Sequence, residues 1–118
     1  MRSSIHTERI APRHVFERWV WIHRGSDGKQ GSLQAWSRDL SETGLAAFSA
    51  QALALGELVI LEIRLPNGEP LKIPAKVARS LGTEYGFQFT ALSSEQRNEI
   101  RAGLRGTPLV PIQATRNR

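Results

Sequence analysis

At 118 residues, with 40% hydrophobic and 23% charged residues, the chain has the size and composition of one globular domain with its own core. It has no cysteine, which excludes disulfide scaffolds, thiol nucleophiles and thiolate zinc sites, and no apolar run near the roughly 20 residues of a membrane span. The net charge of +5, carried by thirteen arginines and only three lysines, favours anionic partners, and arginine suits bidentate contact with phosphate.

The opening MRSSIHTERIAPRH is polar and lacks the apolar centre of a signal peptide, so a cytoplasmic protein is expected. Residues 1–14 show no periodicity and read as a flexible N-terminal arm. From Val15 to Arg24 the run VFERWVWIHR is rich in β-branched and aromatic residues, a strand signal. Phe16, Val20 and Ile22 share one of its faces, and Val15, Trp19 and Trp21 the other. GSDGKQG is a turn cluster, and a second strand over roughly Ser32 to Arg38 completes a hairpin. DLSETG follows as a polar loop, and LAAFS resumes an apolar run.

In LVILEIRL, Val59, Leu61, Ile63 and Leu65 alternate with residues that include Glu62 and Arg64. Asn67-Gly68 is suited to a tight hairpin turn. The return strand LKIPAKVA places Leu71, Ile73, Ala75 and Val77 on one face and Lys72 and Lys76 on the other. Pro74 cannot donate to a ladder and is expected at an edge or a bulge. After SLGTE, the aromatic residues of YGFQF (Tyr85, Phe87 and Phe89) point one way. Ser93-x-x-Gln96 has capping-box spacing for a helix whose Ile100 and Leu104 share a face, stopped by Gly106 and Pro108. Short strands with frequent turns and one closing helix suggest a small antiparallel barrel. The expected organisation is an arm over 1–14, a β-barrel with closing helix over 15–105, and a disordered tail over 106–118.

Enzyme signatures are absent. His6, His14 and His23 make no metal-ligand spacing, and there is no nucleophile elbow, Walker loop or dinucleotide fingerprint. Neither catalysis, a metal nor a cofactor is expected. Two other features carry chemistry. Arg9-Ile10-Ala11-Pro12-Arg13 sets two guanidinium groups four residues apart on a non-helical arm, with Pro12 biasing Ala11 towards an extended conformation. Asp39-Leu40-Ser41-Glu42-Thr43-Gly44 lies at a strand–turn junction. Asp39 and Ser41, two apart, emerge on one face of an extended segment, and Gly44 permits positive φ or close backbone approach. Cationic forks, a carboxylate and a hydroxyl are what a guanine nucleotide requires: the carboxylate accepts from the N1–H and N2–H edge, and arginine bonds O6, N7 or phosphate.

These residues resemble the PilZ family, whose hallmark is RxxxR followed some 20 to 30 residues later by [D/N]xSxxG. Arg9 and Arg13 match the first motif, and Asp39, Ser41 and Gly44 the second. The resemblance runs through Tyr-Gly-Phe-Gln-Phe into the final helix and covers about residues 8 to 105. It implies an all-β fold, a six-stranded antiparallel barrel with a C-terminal helix, that binds cyclic di-GMP on its outer surface. Arg9 and Arg13 would contact phosphates and guanine, Asp39 and Ser41 would bind a guanine, and Gly44 would have a conformational role. One departure is Glu8, where many relatives that bind an intercalated ligand dimer have another arginine. Ligand binding would change the conformation and signal to a downstream protein, the chain being a monomer or weak dimer. The rivals are a single-stranded nucleic-acid-binding barrel, which the charge and three tryptophans would suit, and a ligand-free module for protein contacts.

Overall fold

The computed structural model describes residues 11–66 and 68–111. Its strands are β1 (His14–Val15), β2 (Trp19–Arg24), β3 (Ser32–Leu40), β4 (Gly44–Phe48), β5 (Leu58–Arg64), β6 (Pro70–Leu81) and β7 (Glu84–Phe89), followed by helix α1 (Ser94–Leu104). All pairings are antiparallel: the order β3-β2-β5-β6-β7-β4 is closed by β4 returning to β3. The result is the expected six-stranded barrel with a C-terminal helix, to which β1 is added as a short seventh strand. Among the described residues no helix is long and apolar enough to cross a membrane.

The core follows from period-two alternation. Val59, Leu61 and Ile63 of β5 face inward beside Leu71, Ile73, Ala75 and Val77 of β6, and all are buried. Burying each of the larger aliphatic chains contributes about 1.5–3 kcal/mol. Tyr85 and Phe87 of β7 join them, with Phe89 packed partly buried against the cluster. In α1 the Ser93 hydroxyl accepts from the Gln96 N–H and the Gln96 side chain returns to the Ser93 N–H, the reciprocal cap its spacing predicts. Ile100 and Leu104 bring one helical face into the core.

Three expectations are modified. The strand anticipated from Val15 to Arg24 is broken at 16–18, and β1 and β2 lie end to end along the same edge of β3. Ser37, fully buried, fills the break: its hydroxyl accepts from the Arg18 N–H at 3.0 Å and donates to the Phe16 carbonyl. Inward Phe16, Val20 and Ile22 and outward Trp19 and Trp21 keep their anticipated faces. Second, Asp39 and Leu40 belong to β3 and Gly44 opens β4, so the anticipated six-residue loop is a turn over 41–43. Third, Pro74 lies within β6, paired with Ile60 of β5. Its carbonyl accepts from Thr90 beyond the end of β7, so the nitrogen that lacks a proton also faces a side where the ladder has stopped. Asn67, proposed for the β5–β6 turn, lies outside the described residues; the Gly68 N–H donates to the Leu65 carbonyl.

Candidate functional site

Two β-bulges build the site. Along β3, Leu33, Ala35 and Ser37 face inward, and simple alternation would turn Asp39 inward as well. The register slips between Ser37 and Asp39, so Leu40 enters the core and Asp39 turns to the outer face of the sheet, where it is buried beneath Arg13 and Arg38. In β6 the inward series Leu71, Ile73, Ala75, Val77 would continue to Arg79. A second slip, between Val77 and Arg79, leaves Arg79 exposed. Register then aligns one row across four strands: Asp39 opposite Ala46, Ala46 opposite Gly86, and Gly86 opposite Arg79. Three inter-strand steps separate the acid from the arginine, roughly 14 Å along the sheet.

The intervening positions carry almost no side chain. Gly44, Ala46, Ala78 and Gly86 floor an open cleft of about 410 Å³, walled by Arg13, Asp39, Ser41, Arg79 and Gln88. At Gly86 a β-carbon would come within 3.1–3.3 Å of the Arg79 side chain, whose guanidinium lies over this bare backbone, so a larger residue would shift Arg79 from its place. Gly44 answers the question its motif position poses. Its φ is not positive, and a β-carbon would overlap the Phe87 carbonyl, so close approach to β7 is the reason for glycine.

Arg13 and Asp39 meet at the rim. Arg13 Nε is 3.5 Å from Asp39 Oδ1 and its Nη2 3.5 Å from Oδ2, both at the outer limit of bonding. Arg38 Nε donates to Asp39 Oδ2 at 3.1 Å while its Nη1 reaches Glu84. The Asp39 side chain is 3% exposed and that of Arg13 42%. Ser41 is a turn-former: its hydroxyl accepts from the N–H groups of Thr43 and Gly44 at 3.1 and 3.3 Å. Asp39 makes no such local bond, so the two motif residues differ in kind.

Next to Ser41, Glu42 anchors the turn to α1, accepting from Arg101 Nε at 2.8 Å and Nη2 at 3.1 Å. Those bonds hold its carboxyl below the ordinary carboxylate range. Arg9, the other half of RxxxR, lies outside the described residues, as do Glu8 and His6. The structure thus gathers Arg13, Asp39, Ser41 and Gly44 into one cleft and adds Arg79 and Gln88, which sequence reasoning missed. A signal for Arg79 existed: an arginine falling on the apolar phase of an alternating strand marks a bulge or a paired buried charge. The three tryptophans, exposed on β2 and β3, do not line the cleft. Among the described residues no cluster of His, Asp and Glu could hold a metal ion.

Comparison with known proteins agrees with this architecture. The chain matches the family model for the PilZ domain over residues 12–106. No curated protein matches it in sequence. The PilZ domain of CeSA from a cellulose-synthesizing bacterium superposes with a TM-score of 0.61 at 24% identity, covering 79% of this chain and 95% of that one. The inhibitor of motility MotI/DgrA of Bacillus subtilis gives 0.68 at 17% identity, over 92% of this chain and 52% of that one. The PilZ domain of Escherichia coli YcgR, solved with c-di-GMP, gives 0.61 at 14% identity, over 80% and 89%.

Proposed function

This chain belongs to the PilZ domain family, and on that premise we propose that it is a receptor for cyclic di-GMP whose ligand lies across the β3-β4-β7-β6 face. The observation that carries the reading is the row Asp39–Ala46–Gly86–Arg79, an acceptor and a cation at opposite ends of a floor stripped of side chains. Flat purine rings can lie on such a floor. The Asp39 carboxylate would accept from the N1–H and N2–H edge of one guanine, a pairing closed to adenine. Arg13 at the rim would bond phosphate and stack on a base, with Arg9 as its partner on the arm. Ser41 would contribute by shaping the turn, and Gly44 by its fit against β7.

Each charged hydrogen bond contributes on the order of 1.5–3 kcal/mol. Three or four of them exceed the roughly 8 kcal/mol of a micromolar complex before the entropy of ordering the arm is subtracted. The chain would act in the cytoplasm, the rearranged arm offering new surface to a downstream protein, and no catalytic step is assigned to it. Exposure of Trp19, Trp21 and Trp36 favours a second reading, single-stranded nucleic-acid binding. Calorimetric titration with cyclic di-GMP, GTP and a single-stranded DNA oligomer separates the two. Saturable binding of cyclic di-GMP alone is expected; binding of the oligomer with none of the dinucleotide overturns the proposal.

A further inference from the structure

Residues 106–118 look like a tail in the sequence, yet part of that segment is hydrogen-bonded into the fold. Gly106, at φ 82°, turns the chain back after α1. The Val110 N–H then donates to the Arg13 carbonyl at 2.8 Å, and the Val15 N–H to the Pro108 carbonyl at 2.8 Å. Leu109 forms an antiparallel bridge with His14, whose Nδ1 lies 3.1 Å from the Thr107 carbonyl oxygen. Residues 13–15 are therefore the middle of a three-strand arrangement, with Leu40 and Asp39 of β3 on the other side.

A two-residue strand holds little by itself, and the side-chain contacts of Arg13 to Asp39 are both long. The position of Arg13 at the cleft depends on its backbone, whose carbonyl is held by the Val110 N–H on one side of this short strand. From this geometry we infer that segment 107–110 is a clamp that positions Arg13 for the ligand, so that ligand binding and clamp pairing stabilise each other. The inference rests on the cyclic di-GMP reading of the cleft. Its sign follows from the structure: the clamped arm is the one that places Arg13 beside Asp39, and linkage makes the stabilisation reciprocal.

The test compares Val110→Pro, which removes the N–H bonded to Arg13, with Val110→Ala, which keeps it. Calorimetry should show cyclic di-GMP binding about 5- to 10-fold weaker in the proline variant and unchanged in the alanine variant. Amide hydrogen exchange on the unaltered protein should slow at Val15 and Val110 when ligand saturates. That measurement decides the matter even if Val110→Pro fails to fold. Wild-type affinity in a folded Val110→Pro, or exchange at Val110 that is unchanged or faster with ligand, overturns the clamp alone. An unaltered protein that binds no cyclic di-GMP overturns the reading of the cleft, and the clamp with it.

Discussion

Of the arginine–carboxylate pairs on this barrel, Arg24–Glu57 and Arg13–Asp39 differ most instructively in how fully their bonding capacity is satisfied. Arg24 Nε donates to Glu57 Oε2 at 2.6 Å and Nη2 to Oε1 at 3.0 Å, while the Ala54 N–H also donates to Oε1. Glu57 is consequently held below the ordinary carboxylate range, chiefly by the Arg24 hydrogen bonds. Arg13 and Asp39 approach only to 3.5 Å, and Asp39 shares its second oxygen with Arg38. The first pair is a closed structural clasp between the end of β2 and the turn before β5. The second keeps directional capacity for an incoming donor and anion, and it lies at a cleft. Bond length and saturation, rather than the mere presence of opposite charges, set the two pairs apart, and under the proposed function the open one is the pair that would meet the ligand.

Substitutions can break this contrast from either side. Asp39→Ala should have the largest effect, a loss of cyclic di-GMP affinity on the order of a hundredfold, because the guanine acceptor goes and two guanidinium groups lose their partner. Calorimetry showing affinity within about threefold of wild type would remove Asp39 from the site. Arg13→Ala should weaken binding by about tenfold or more, with an unchanged melting temperature, since its half-exposed side chain adds little to the fold. An unaltered titration curve would remove Arg13 from the site. Arg79→Ala, at the far end of the row, should cost roughly five- to tenfold. If it costs nothing, the ligand stays on the Asp39 side of the cleft and does not span the row.

Glu57→Gln tests the closed pair and should leave ligand binding unchanged while lowering stability by about 1 kcal/mol near neutral pH. The sign with pH follows from the depressed carboxyl. Its stabilisation is present above the ordinary glutamate value of about 4.5 and is lost as pH falls through the lower folded-state value. Denaturant melts of wild type and variant should differ most at neutral pH and converge in acid; a gap that widens in acid contradicts the assignment.

Much of the fold was legible because its causes are local. The alternation of Val59, Leu61 and Ile63 with polar neighbours predicts an inward face without knowledge of any partner strand. The Ser93–Gln96 cap needs only four residues to be recognised. At the site, motif order and spacing brought Arg13, Asp39, Ser41 and Gly44 together on paper, and all four line one cleft. The break at 16–18 was not legible, because VFERWVWIHR has strand-forming residues throughout and the interruption is set by the buried Ser37 hydroxyl of another strand. The pairing of 107–110 with the arm was hidden for the same reason, its partners lying more than 90 residues apart.

The sequence by itself determined the barrel's inward faces, the capped helix, the excess of arginine and the two motifs, since each depends on neighbours a few residues apart or on composition. Tertiary structure alone decided which way Asp39 and Arg79 point. Side chains alternate with a period of two, so one extra residue in a strand reverses the face of everything after it. Whether that residue is accommodated depends on the register of the adjoining strand: β4 for Asp39, β7 for Arg79. Those two slips move an acid and an arginine from the core phase to the surface phase, and they set them at opposite ends of one bare row.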